Sequence, residues 1–150
     1  MQDDCKQLRL IVVMAVLLIL SGCFIRIPLS YEPHALASPA DAMAVIHQTL
    51  EAQHAQYAPI ELEVSESGFS MLRSTSNPLL GTQHLNRTAI RFSAISEVSL
   101  SKKNRWFAVT LAGANGVALL HVYTPDKASA HRFIDALDTM RRFASSSGSE

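Results

Sequence analysis

WFAVTLAGANGVALLHVYTPDKASAHRFIDALDTMRR, residues 106–142, carries the two periodicities that decide the fold. Trp106–Leu111 and Val117–Tyr123 are rich in β-branched and aromatic residues, and Gly113-Ala114-Asn115-Gly116 joins them. Asn-Gly is the favoured two-residue turn of a β-hairpin, so this half predicts two antiparallel strands. At Thr124 the period changes. Thr124 is a good N-cap, Pro125 suits the first helical position, and Asp126 puts negative charge in the first turn. Ala130, Phe133, Ile134, Leu137 and Met140 then fall on one helical face. Arg132, Asp135, Asp138 and Arg142 fall on the other, and Arg141 and Arg142 complement the dipole at the carboxyl end. A closing helix over Lys127–Arg142 is expected.

Upstream, Ile90 and Phe92 alternate with Arg91 and Ser93, and the phase slips at Ala94-Ile95 before Val98 and Leu100. A slip of one residue predicts a bulge or bend in a long strand. Ile60, Leu62 and Val64 alternate with Glu61 and Glu63, giving a half-buried strand with an acidic outer face. Ser65–Gly68 reads as a turn and Phe69–Arg73 as the returning strand; Ser74–Asn86, with Asn77-Pro78 and Gly81, reads as a longer connection. An earlier helix should start at Ser38, with Pro39 in the first turn and Asp41 completing a capping box. Its apolar stripe is Met43, Ile46, Leu50 and Tyr57, and Pro59 ends it. Ser145–Glu150 is a small, polar, frayed tail. The expected fold class is α+β: an amino-terminal helix, five to seven antiparallel strands in one strongly bent sheet, and a closing carboxyl-terminal helix, over residues 38–144.

The first residues follow a different rule. Leu10–Leu20 reads LIVVMAVLLIL, preceded by Lys6 and Arg9 and followed by Ser21-Gly22. That is the layout of a secretory signal, although Asp3 and Asp4 cancel the two leading cations. Leu20-Ser21-Gly22-Cys23 resembles the lipobox of bacterial lipoproteins at all four positions. The resemblance implies cleavage after residue 22, a diacylglyceryl group on the Cys23 sulfur, and a lipidated tether over residues 23–37. Two or more acyl chains anchor a protein stably to a membrane surface. Phe24 rather than Asp follows Cys23, and similarity to enterobacterial sorting then implies the outer membrane, facing the periplasm. The alternative is an uncleaved span, but the sixteen uncharged residues between Arg9 and Arg26 cover only about 24 Å of a roughly 30 Å hydrocarbon core.

A second resemblance lies downstream. Ile90-Arg91-Phe92, Ile95-Ser96-Glu97-Val98, Trp106–Leu111, Leu119–Tyr123 and the helix Lys127–Arg142 resemble the latter half of bacterial pleckstrin-homology-like domains. Such kinship implies a bent sheet plugged at one end by its terminal helix. It carries no binding residue onto this chain.

Composition limits the functions to consider. Thirteen Lys+Arg balance thirteen Asp+Glu in 150 residues, so no basic excess points to nucleic acid. Two cysteines are too few for a disulfide scaffold or a four-thiolate zinc site. Lys102, Lys103 and Arg105 sit together in a predicted hairpin loop directly before Trp106, suited to an anionic partner or simply to solvation. His47, Glu51 and His54 have the helical spacing of a metal site, but equally that of histidines bordering an apolar stripe, and no HExxH pattern accompanies them. His121 with Asp135 or Asp138 permits a hydrolase on paper, without a G-x-S-x-G elbow to support it. Arg73, Arg87 and Arg91 read as one solvated strand face. No catalytic set and no cofactor is called for. The expected protein is an envelope lipoprotein acting as a non-catalytic binding or scaffold module for a protein, peptide or lipid partner. A small envelope hydrolase and a metal-binding lipoprotein are the rivals.

Overall fold

Seven strands and two helices carry these patterns in a computed structural model that describes residues 26–54, 56–77 and 82–147. The leader and Cys23 lie outside the described residues. In chain order the elements are β1 (Ile27–Leu29), α1 (Pro39–Glu51), β2 (Glu61–Val64), β3 (Gly68–Asn77), β4 (Thr82–Arg91), β5 (Glu97–Lys103), β6 (Trp106–Ala112), β7 (Ala118–Thr124) and α2 (Lys127–Ser147). All strand pairings are antiparallel, in a four-stranded sheet ordered β1-β5-β6-β7 and a three-stranded sheet ordered β2-β3-β4.

The α+β class is therefore present, but two features differ from expectation. There is no single bent sheet: two sheets occur, and neither closes on itself. The phase slip around Ala94 is the break between them. A single 3-10 turn, Phe92–Ala94, carries the chain from β4 to β5, with its first residue Phe92 and the following Ile95 both buried. Nor does the described fold begin with a helix, because β1 precedes α1 and pairs with β5. Ser38 caps α1 by accepting from the Asp41 amide. The helix stops at Glu51, short of Tyr57, and the chain then turns Gln53 inward.

Polar residues hid one hairpin. Ser74–Asn86 contains the distal halves of β3 and β4, which pair from Gly68↔Arg91 out to Asn77↔Thr82. Its outer stretch, including Leu85, is exposed, so no buried face imposes the alternation that marks a strand. At the proximal end Gly68 is required by space, since a Cβ there would run into the Ile90 carbonyl oxygen and lie 2.8 Å from the Arg91 Cα.

The core lies where both sheets meet both helices. Ile46 and Leu50 of α1, Phe69 and Met71 of β3, Val109 and Leu111 of β6, and Phe133, Leu137 and Met140 of α2 are nearly inaccessible to solvent. Each fully buried side chain of this size contributes about 2 kcal/mol of transfer free energy, and Phe92 and Phe133 are the largest of them.

The segment assigned to a tether is docked from Ile27 onward. Ile27↔Lys102, Pro28↔Ser101 and Leu29↔Leu100 add β1 to the edge of β5. Tyr31 Oη donates to the Asp135 carboxylate at 3.0 Å, the His34 amide donates to Asp135 Oδ1 at 2.7 Å, and the Leu36 amide donates to Thr139 Oγ1 at 2.9 Å. The Tyr31 ring stacks on His131 at 3.6 Å. This strap explains why Asp135, placed by periodicity on the outer face of α2, is only 8% exposed.

Candidate functional site

The β5–β6 turn builds the site. Lys103 pairs with Trp106, leaving Asn104-Arg105 as the two turn residues. Asn104 adopts φ 56°, a left-handed conformation that asparagine tolerates better than most side chains. The tight turn leaves three cations around two aromatic rings. The Arg105 guanidinium sits 5.5 Å from the Trp106 ring centroid, and Lys102 Nζ sits 5.9 Å from that of Phe107. Both are within cation–π range.

A second wall comes from the chain beyond α1. The amides of Tyr57 and Ala58 both donate to the His54 carbonyl, at 2.7 and 3.0 Å, which curls this segment toward the turn. Its rings then face those of the sheet: His54 meets Trp106 edge-on at 6.3 Å, and Tyr57 packs on Tyr123 at 5.1 Å. Between these walls lies an open cleft of about 230 Å³. Lys103 and Arg105 line it and no carboxylate does. Among the described residues none of Lys102, Lys103 and Arg105 is ion-paired. Such a site attracts an anionic group and offers flat apolar surface beside it.

The other predicted constellations do not assemble. His47 Nδ1 lies 3.2 Å from Glu51 Oε2 on the exposed side of α1, whereas His54 has left the helix for Trp106. The helical spacing that would have aligned the three is lost because α1 ends at Glu51. Among the described residues no group of three His, Cys, Asp or Glu could hold a metal ion. His121 bonds Thr110 Oγ1 at 2.9 Å across the β6–β7 pair. Burial, and secondarily the Arg26 charge, hold it below the ordinary histidine pKa. Asp135 is taken by the strap and Asp138 by Arg142, at 2.7 Å, so neither carboxylate serves His121. Of the three strand arginines, Arg87 and Arg91 share an exposed face and Arg73 falls on the other. Arg87 reaches Glu61 at 2.8 Å in solvent, while Arg73 has Nε and Nη2 buried without a hydrogen-bond partner among the described residues.

Sequence reasoning located the basic turn but missed its aromatic wall. Tyr57 belongs to the expected stripe of the first helix and Tyr123 to the expected Val117–Tyr123 strand, and nothing local signals that they meet. The strap residues Tyr31, His34 and Asp135 were equally hidden, since their partners lie about a hundred positions apart in sequence. Among the described residues no helix is long and apolar enough to cross a membrane. No protein-family model, curated protein or solved structure matches this chain.

Proposed function

We propose that the chain is a bacterial envelope lipoprotein, anchored through Cys23 to the outer membrane on its periplasmic side, whose domain is a non-catalytic binding module. The partner, whether protein, peptide or lipid, presents an anionic group to the cleft beneath the β5–β6 turn. The observation that supports this most is the cleft itself, with unpaired cations set beside aromatic walls and no acid among its lining residues. Anchoring rests on the Leu20-Ser21-Gly22-Cys23 resemblance. Pleckstrin-homology-like kinship belongs to the same proposal; antiparallel sheets of three and four strands followed by a terminal helix are compatible with it.

Two measurements test it. Mass spectrometry of the amino terminus should find a lipidated Cys23 in the natural protein and an unprocessed, unacylated chain in Cys23→Ser; a retained Met1 in the natural protein refutes the anchor. A photo-crosslinking residue in place of Gln56, on the exposed rim of the cleft, should give light-dependent adducts in intact cells, and the same residue in place of Leu85, on the distal hairpin, should not. Equal yields at both positions refute the binding site.

A further inference from the structure

We infer that the anionic partner of the β5–β6 turn is the phospholipid headgroup layer of the membrane that holds the chain, so that the domain docks turn-down on its own anchor. This rests on the proposed lipidation of Cys23.

Chain length fixes the distance. Ile27 is paired with Lys102, so β1 begins at the same end of the four-stranded sheet as the β5–β6 turn. Only three peptide units separate Cys23 from Arg26, and their fully extended reach is about 11 Å. The headgroup layer of one leaflet is itself roughly 5–7 Å thick. A lipid-bearing Cys23 therefore holds Arg26, Ile27 and the adjacent turn within headgroup range.

Rigidity fixes the orientation. A loose tether would let the domain swing, but β1 is hydrogen-bonded into the sheet and the strap behind it is clamped to Asp135 and Thr139 of α2. With Ile27, four residues beyond the attachment point, held at the sheet edge, the surface nearest the bilayer is the end that carries Arg26, Lys102, Lys103 and Arg105. Ile27 is 54% exposed at that end, and Trp106 lies beside the turn. Cations with an exposed aliphatic residue and a tryptophan match the polar–apolar boundary of a bilayer. Asp126, two residues beyond the Thr124 that pairs with Phe107, is engaged by Ser129 through its backbone amide and its hydroxyl, both at 2.8 Å. Each cation near an anionic membrane surface favours docking by about fivefold, so the three turn cations together favour it by about a hundredfold.

Trp106 is the only tryptophan in the chain and reports on the turn directly. The full-length protein is purified in detergent, its amino terminus verified by mass, and reconstituted into phosphatidylcholine vesicles with or without phosphatidylglycerol, each carrying a headgroup nitroxide quencher. Quenching of Trp106 should be strong with phosphatidylglycerol, weak without it, and reduced by salt. In Lys102→Gln/Lys103→Gln/Arg105→Gln the docked-to-undocked ratio should fall about a hundredfold, with far-ultraviolet circular dichroism verifying the fold. The salt titration of the natural protein gives the same information without any substitution. Quenching equal in both vesicle types and insensitive to salt overturns the inference, because proximity alone would then account for it. A lipidated chain whose Trp106 is unquenched also overturns it and leaves the binding module in place; a soluble peptide carboxylate shifting the Trp106 emission would assign the cleft to such a partner. An unlipidated chain retaining Met1 overturns the inference and the proposed anchor together.

Discussion

Replacing Asp135 by Ala should release the amino-terminal strap and leave the core intact. The carboxylate accepts from two donors, the Tyr31 hydroxyl, shared between its oxygens at 3.0 Å each, and the His34 amide at 2.7 Å. Hydrogen bonds to a charged acceptor contribute about 1.5–3 kcal/mol each. Both donors lie near the surface and regain water when freed, which favours the low end of that range, about 3 kcal/mol in total. With a urea slope of about 2 kcal/mol per molar, the unfolding midpoint followed by Trp106 fluorescence should fall by about 1.5 M. Asp135→Asn keeps an acceptor for the His34 amide and should lose about half as much. A double-mutant cycle with Tyr31→Phe isolates the hydroxyl, and a coupling of about 1.5 kcal/mol is expected. Hydrogen exchange supplies the local readout: amides of residues 27–36 should lose protection in Asp135→Ala before those of β6. A loss below about 0.5 kcal/mol, the range of ordinary surface substitutions, or strictly additive effects with Tyr31→Phe, would refute the clamp.

Gly68→Ala should destabilise by about 3 kcal/mol, because the methyl group meets backbone that cannot move aside without breaking the β3–β4 register; an unchanged melting temperature would contradict this. Phe133→Ala removes a side chain with no solvent exposure and should cost about 4 kcal/mol in urea unfolding. His131 and His121 both sit below the ordinary histidine pKa, chiefly through burial, aided by Lys127 at His131 and by Arg26 at His121. The folded state therefore binds fewer protons than the unfolded chain, so stability is full above the ordinary value of 6.5 and falls as pH drops through and below it. His131→Gln should flatten part of the decline in melting temperature between about pH 7 and about pH 5. Tyr31 lies above its ordinary 10.0, through burial first and then the Asp135 hydrogen bond and charge. Its stabilisation is present below pH 10 and is lost as pH rises above it, and Tyr31→Phe should remove that alkaline loss in circular dichroism titrations.

How much of this was legible depended on whether burial was local. Ala130, Phe133, Ile134, Leu137 and Met140 form the buried face of α2 as their spacing dictates, because a helix against a core must repeat its apolar residues every three or four positions. The β6–β7 hairpin and the Ser38 cap were equally readable, being set by residues a few positions apart, although Asn115-Gly116 lies within a five-residue connection, Gly113–Val117, and does not form a two-residue turn. The outer half of the β3–β4 hairpin was not, since strands exposed on both faces carry no alternation. The strap was illegible for another reason: Pro28 and Pro33 suppress any period, and its partners come from β5 and α2. For the site, the three cations were visible as a run of charge. The rings that give the run a shape were visible only as members of other elements.

The order of synthesis gives the strap a further meaning. Residues 27–36 leave the ribosome before any of the residues they bond. Pairing for Ile27 waits for Lys102, and the acceptors for Tyr31, His34 and Leu36 are Asp135 and Thr139, in the last helix. Contacts separated by about a hundred residues are entropically costly to close early and form late in folding. The first part of the domain to be made is thus the last to be sealed. Until β1 docks, β5 keeps an unpaired edge open to any extended strand nearby, and the clamp that holds β1 there waits for α2. A nascent or partly folded chain is for that interval a target for chaperones, proteases and strand exchange with a second copy, and closure of the strap ends it.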